Sequence, residues 1–322
     1  MSDEQFIKAF IDNYHRVFNY TGGQDPQLTM FLASTYTFSK KEFSGVILQK
    51  IIDEIEEKTK SSSVRLDLKM KYKLAIQFSQ QNNMDETIQS FIKKDQLLKE
   101  VKFKNTPHRA LAALFLQEDD REHAIRAKQL FDELNRQQRI LTSNEDVPFV
   151  VYLSSDMNEQ PKTQADTIVK YYNELRENHF TMGNPLQGLA QILTVYSSDY
   201  NEVLLQYVVQ LREELLKRDI KVKRIHYPYL GVLALAATNE SKVDAIVSLH
   251  HQFIEIKELK SNKSYALIIA IKKVIQDVLE IQELIEMTPL SDLTGLLDIA
   301  DILVDLVGFL PPGLSDVVDF LN

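Results

Sequence analysis

Residues 178–200 read NHFTMGNPLQGLAQILTVYSSDY, and the reading of GNPLQG at its centre decides the fold. Glycines there could let backbone approach a substrate closely, as a ligand loop requires. The same letters also serve as punctuation between two helices. Gly183 would close one helix, Asn184 would cap the next, and Pro185 would be its first residue, where a missing N–H costs nothing. The other prolines favour punctuation. Pro107, Pro148, Pro185 and Pro228 are separated by 41, 37 and 43 residues. Pro26 lies 81 residues before Pro107, two such intervals, and an apolar helix without proline starts near Val64 between them.

Each of these positions opens a short apolar segment: PQLTMFLASTY, VRLDLKMKYKLAIQF, PHRALAALFLQ, PFVVYLSS, PLQGLAQILTVY and PYLGVLALAAT. Asp25, Thr106 and Asn184 precede their prolines as N-caps. A polar break and an amphipathic helix follow each time. In REHAIRAKQLFDELNRQ, for example, Ala124, Ala127, Leu130, Phe131 and Leu134 share one face. A helix apolar nearly all round is buried on several sides, whereas a one-striped helix lies half in solvent. The alternation predicts an all-α fold, an α-solenoid-like stack of about six helical hairpins with a period near 40 residues. Gly188 and Gly231 stand three residues after their prolines, where small side chains let helices approach. Gln187, polar within an apolar helix, requires a partner.

Beyond the pairs, residues 265–287 read as a further long helix and Pro289 resets the chain. A helix over 290–309 carries Asp298, Asp301 and Asp305 as an acidic stripe, PPG at 311–313 breaks it, and LSDVVDFLN ends as a short turn. The expected organisation is a helical-repeat domain, 1–288, with an acidic apolar C-terminal segment, 289–322, packed on it. That segment has three readings: a cap over the last hairpin, a helix docking on a basic edge of the same or a second chain, or a partner- or membrane-binding helix.

Charge follows this division. The net charge is −9, yet after Lys273 there are ten acidic residues and no Lys, Arg or His, leaving 37 basic against 36 acidic residues before that point. Anionic lipid would repel such a segment. Within the repeat, the ends of the amphipathic helices are basic and the turns before them acidic. Helix dipoles account for that layout; the alternative, an anion, acidic-protein or nucleic-acid surface on the basic edge, is the weaker reading because no strongly basic stripe with interleaved aromatics is present. Nine glycines among 322 residues disfavour a fold of tight glycine loops. Cysteine is absent, which excludes thiolate chemistry and suits a reducing cytoplasm. Residues 1–20 alternate apolar side chains at helical spacing without a positive leader, unlike a signal peptide.

No catalytic motif is present, and neither a metal nor a cofactor is expected. His123 lies within a turn of Asp119 and Asp120, but acids at a helix start ordinarily serve its dipole. His250 and His251 point about 100° apart on one helix and are poorly placed to share a metal.

The runs RAKQLFDEL, LTSNEDVPFVVYLS, YYNELRENHFTMGNPLQGLAQIL and YPYLGVLAL resemble the bacterial family known as domain of unknown function 4003. FTMGNPLQGLAQIL is the most specific of them, and the likeness is best over residues 127–237. The resemblance implies a cytoplasmic protein with no assigned activity, and it transfers no catalytic residue.

The leading expectation is a binding or scaffold module with a protein or peptide partner, and with neither nucleic acid nor membrane. Arg109, Gln187 and Tyr229 are the candidate binding residues, expected as exposed polar positions near the starts of the apolar helices. The alternative is an all-helical enzyme with its pocket in the solenoid concavity or at the junction with the C-terminal helices. A structural homo-oligomer joined through those helices is a third class.

Overall fold

The computed structural model describes residues 1–284, except Gln80, Asn82, Glu118, Asp119, Asp156, Met157, Tyr196, residues 237–239 and Ser261, together with Leu297, Ala300 and Asp301. The regular elements among them are helical. They are α1 (Asp3–Thr21), α2 (Pro26–Phe38), α3 (Gly45–Thr59), α4 (Leu68–Phe78), α5 (Met84–Glu100), α6 (Pro107–Ala112), α7 (Arg121–Gln137), α8 (Val147–Leu153), α9 (Pro161–Glu177), α10 (Asn184–Leu193), α11 (Glu202–Lys217), α12 (Tyr227–Leu235), α13 (Glu240–Glu255), α14 (Lys257–Lys260) and α15 (Lys263–Leu284). Short 3-10 turns at Asn144–Asp146 and Arg224–His226 lead into α8 and α12.

The apolar segments form α2, α4, α6, α8, α10 and α12, and the striped ones form their partners α3, α5, α7, α9, α11 and α13. Every described residue of α12 is buried, whereas α7 buries one face through His123, Ala124, Ala127, Leu130 and Leu134. Hairpin stacking is therefore what the two hydrophobic patterns require. The stack also turns back on itself. The buried helices meet in series, α6 on α8, α8 on α10, α10 on α12 and α12 on α15, and α15 then packs on α2. The rings of Phe6 in α1 and Phe253 in α13 lie 6.1 Å apart. Gln276 Nε2 donates to the Phe38 carbonyl at 3.2 Å, and Lys40 pairs with Glu280 at 3.0 Å. First and last hairpins thus share one core.

Capping follows the residues at the boundaries. Asp25 Oδ1 accepts the N–H groups of Gln27 and Leu28, each at 3.0 Å, and Thr106 Oγ1 accepts that of Arg109 at 3.4 Å. The opening stretch departs from expectation. Helix α9 is closed at His179, in the left-handed region at φ 64°, and not at Gly183. Gly183 precedes α10 at φ 132°, and Asn184 is already helical, its amide bonded to Glu145 instead of capping.

The reason is a repeated C-terminal device. After α5, α9 and α11 a left-handed residue, Lys102, His179 or Asp219, lets the next apolar residue, Phe103, Phe180 or Ile220, fold back into the core. The N–H of that apolar residue bonds the carbonyl of Leu98, Leu175 or Leu215 at 3.1, 3.1 or 3.0 Å, which satisfies an otherwise orphaned acceptor. A left-handed non-glycine residue is strained. Asp219→Gly is expected to leave the fold unchanged and raise stability by about 0.5–1 kcal/mol, measured by urea unfolding.

Close approach of α10 and α12 depends on Gly231. A Cβ there would lie 2.8 Å from Leu189 Cδ1 and 2.9 Å from Ile192 Cγ2. Gly231→Ala should cost about 1–3 kcal/mol through overpacking, read as a lowered urea midpoint with an unchanged slope.

Candidate functional site

The three candidate binding residues are buried, not exposed: Arg109 is 1%, Gln187 0% and Tyr229 1% accessible. Each had been placed by its polarity at a helix start, but in a ring of hairpins those starts face neighbouring elements. Arg109 donates through Nε to Asp95 Oδ1 at 2.9 Å and through Nη2 to Asp95 Oδ2 at 2.8 Å. Its Nη2 also reaches the Ser63 carbonyl at 3.2 Å. The guanidinium thereby ties α6 to α5 and to the segment before α4.

Gln187 finds its partner in Asp146. Its Nε2 and that of Gln191, one turn on, each donate to Asp146 Oδ1 at 2.9 Å, while Oδ2 accepts the Ser143 N–H at 2.8 Å. Burial, the dominant influence, pushes the Asp146 carboxyl up to about 7 against the lowering effect of the Ser143 N–H and the Gln191 amide. The sequence exposed Gln187 as an oddity. It gave no sign of Asp146, which stands in the polar-looking run SNEDVP.

Two buried histidines, His226 and His123, are structural bridges. His226 Nδ1 accepts the Lys223 N–H at 2.9 Å, so Nε2 carries the proton and donates to the Ser264 carbonyl at 3.0 Å. His123 repeats the pattern, accepting from Gln117 N–H at 3.2 Å and donating to the Val151 carbonyl at 2.6 Å. Among the described residues no group of three or more His, Asp or Glu side chains is placed to hold a metal ion.

Burial lowers His226 to about 3, below the unfolded value near 6.5. Between these values the unfolded chain binds one more proton than the folded chain, so stability contributed by His226 is full above pH 6.5 and falls as pH drops towards 3. Wild type should lose up to about 1.4 kcal/mol per pH unit relative to His226→Asn across that window. Parallel urea titrations from pH 7 to 4 check it. Asp146 acts with the opposite sign. Its raised value makes the folded chain bind the extra proton between the ordinary carboxylate range and 7, so its contribution falls as pH rises.

Tyr229 leads to the interior. Its hydroxyl donates to Asp301 Oδ1 at 2.6 Å, and Lys272 Nζ donates to Asp301 Oδ2 at 2.5 Å. Lys73 Nζ reaches the Asp301 carbonyl at 3.5 Å. Helices α12, α15 and α4 therefore converge on one residue of the C-terminal segment. Lys272 Nζ also lies 4.9 Å from the Phe38 ring centroid, and Lys73 Nζ 5.4 Å from that of Phe31. Aromatic faces thus help hold both ammonium groups in place.

Beside this cluster, walled by α2, α4, α5 and residues 111–115, lies a cavity of about 700 Å³. Phe31, Phe91 and Phe115 contribute apolar wall, Lys73 and Asp301 line it, and Gln77 and Gln89 are among its polar residues. Lys73 and Lys272 were missed in the sequence, although each is a cation embedded in an apolar helix, KMKYKLAIQF and ALIIAIKKVI. Buried lysine without a carboxylate is costly, and that was the usable signal.

Outside the interior, basic residues at the ends of α7 and α11 are paired. Arg136 meets Glu133 at 2.6 Å, Lys217 meets Glu214 at 2.8 Å, and Arg218 meets Asp244 at 2.9 Å. No helix among the described residues is long and apolar enough to cross a membrane.

These features define an all-α protein of stacked hairpins whose first and last members meet round an interior lysine–tyrosine cluster. The chain belongs to the family described as Protein of unknown function (DUF4003), which matches residues 13–299. No curated protein and no solved structure matches it.

Proposed function

We propose that this protein is a binding or scaffold module whose partner is a protein or peptide segment taken up on the interior side of the hairpin stack. The cavity walled by α4 and α5 carries this reading, since its volume of about 700 Å³ and its apolar wall with polar rim suit a segment's side chains. Residues 1–288 would act as the receptor and 289–322 as a separate C-terminal segment. Tyr229 would face the bound segment, while Arg109 and Gln187 would hold the hairpins that shape the cavity. Cytoplasmic action, which the cysteine-free sequence suits, is part of the proposal. Neither nucleic acid nor membrane enters it.

Photo-crosslinking in cells tests the reading. A photoreactive residue at Gln89, exposed on the cavity rim, should capture one polypeptide, and the same residue at Gln129, exposed on α7, should not. No polypeptide captured at Gln89, or equal capture at both, would defeat it. The cavity also favours a second reading, an enzyme acting on a small molecule held there. Protection of the Gln89 position by metabolite extracts depleted of protein would support that instead.

A further inference from the structure

The geometry points to an interior carboxylate receptor, formed by Lys73, Lys272 and Tyr229, that Asp301 fills in cis and that an aspartate or glutamate of an acidic, apolar partner segment fills in trans. It rests on the binding reading above and names the ligand chemistry and its regulation.

Three helices separated widely in sequence supply the receptor, and each directs a donor to the same residue. Tyr229 and Lys272 take one carboxylate oxygen each, at 2.6 and 2.5 Å, and Lys73 takes the backbone carbonyl at 3.5 Å. Recognition of a carboxylate together with its own main-chain oxygen is recognition of a peptide residue. Both lysines are 8% accessible. Lys272 is the one that pairs with the Asp301 carboxylate, and a cation so buried requires a compensating anion, so a receptor relieved of Asp301 would draw in another. The rings of Phe31 and Phe38 lie 5.4 and 4.9 Å from the Lys73 and Lys272 ammonium groups and add cation–π contact to each.

The neighbouring cavity supplies room for the rest of a segment. Lys73 and Asp301 both line it, and Phe31, Phe91 and Phe115 offer apolar contacts to residues flanking the acid. The chain's own sequence here, TGLLDIADILVDL at 294–306, has that composition, aspartates set among aliphatic residues. A tethered ligand competes at a high effective concentration. Apparent affinity for a free segment is reduced by the fraction of chains whose receptor is already filled. Asp301 is therefore an internal competitor that sets how acidic and how abundant a partner must be.

The test uses the full chain and a fluorescein-labelled peptide, TGLLDIADILVDL, read by fluorescence anisotropy. A control peptide carries asparagine in place of the aspartate equivalent to Asp301. Asp301→Asn should bind the aspartate peptide at least about tenfold more tightly than wild type. Adding Lys272→Met should remove that gain. The wild-type chain provides a second reading that needs no folded variant: it should bind the aspartate peptide weakly, yet at least about tenfold better than the asparagine peptide. Equal affinity of wild type for the two peptides would overturn the inference, as would a folded Asp301→Asn chain that binds no better than wild type. Failure of the broader binding reading looks different, because it shows as no polypeptide captured at Gln89.

Discussion

Asp95→Ala is expected to lower stability by about 3–5 kcal/mol, through loss of a buried ion pair in the hairpin framework. Asp95 and Arg109 are each 1% accessible and joined by two hydrogen bonds, at 2.9 and 2.8 Å. Removing the carboxylate leaves a guanidinium buried without its counter-charge, and burial of an unpaired ion costs far more than the pair gains. The remaining acceptors, the Ser63 carbonyl at 3.2 Å, Asn105 Oδ1 at 3.2 Å and the Phe103 carbonyl at 3.5 Å, are neutral and compensate in part. Arg109→Met should be costly for the converse reason, leaving Asp95 unpaired. The double variant Asp95→Ala with Arg109→Met should recover much of the loss, because no charge then remains buried. Urea unfolding of the four chains checks this. Additive losses would show that the two residues act independently.

Phe253→Ala should cost about 3–5 kcal/mol, and where the damage spreads matters more than its size. Phe253 and Phe6 are both inaccessible, and their rings stand 6.1 Å apart across the junction of the last and first hairpins. Lys273 adds to the same seam. Its Nζ lies 5.8 Å from the Phe6 ring and 3.8 Å from Asp3, and it pairs with Asp277 at 2.5 Å. A cavity opened at Phe253 should therefore loosen α1 as well as α13. Hydrogen exchange should quicken in both helices while α6 to α9 stay protected. Loosening confined to α13 and α15 would mean that the two ends of the stack are independent.

Periodicity carried the fold because proline and hydrophobic patterning act locally. Proline at the first turn, an apolar helix and then a striped helix are each readable within a dozen residues, and the six pairs form in the order those signals give, although the second apolar helix, which has no proline, starts at Leu68 behind the Asp67 cap and not near Val64. Closure was not readable. The contacts that make it, such as Gln276 with Phe38 and Phe6 with Phe253, join residues more than 200 positions apart. No local pattern encodes such pairings.

The punctuation of GNPLQG was half right. A helix does begin there, but the left-handed step falls at His179, because Phe180 must turn inward immediately after α9. Glycine is a strong cue for that conformation, and it pointed four residues too late.

The site was the least legible part. Polarity at helix starts selected Arg109, Gln187 and Tyr229, and the structure buries all three. Two of them bond to acids of the framework, and Tyr229 bonds to Asp301. The lysines that meet the same aspartate lay inside apolar helices, where a charge reads as an interruption until its partner, Asp301, is brought alongside. The predicted helix over 290–309 lies outside the described residues apart from Leu297, Ala300 and Asp301, and those three suffice to place the segment's carboxylate inside the stack.

The closed hairpin stack underlies both the interior receptor and the cavity beside it, and one distance tests it directly. The chain contains no cysteine, so His15→Cys with Lys257→Cys accepts two spin labels without other changes. His15 meets Glu258, the neighbour of Lys257, at 3.2 Å. Pulsed dipolar spectroscopy should give a single short distance, near the about 10 Å spacing of packed helices plus the reach of the label arms. An open stack of hairpins would instead hold these ends roughly 50 Å apart, and a distance in that range would contradict the closed fold.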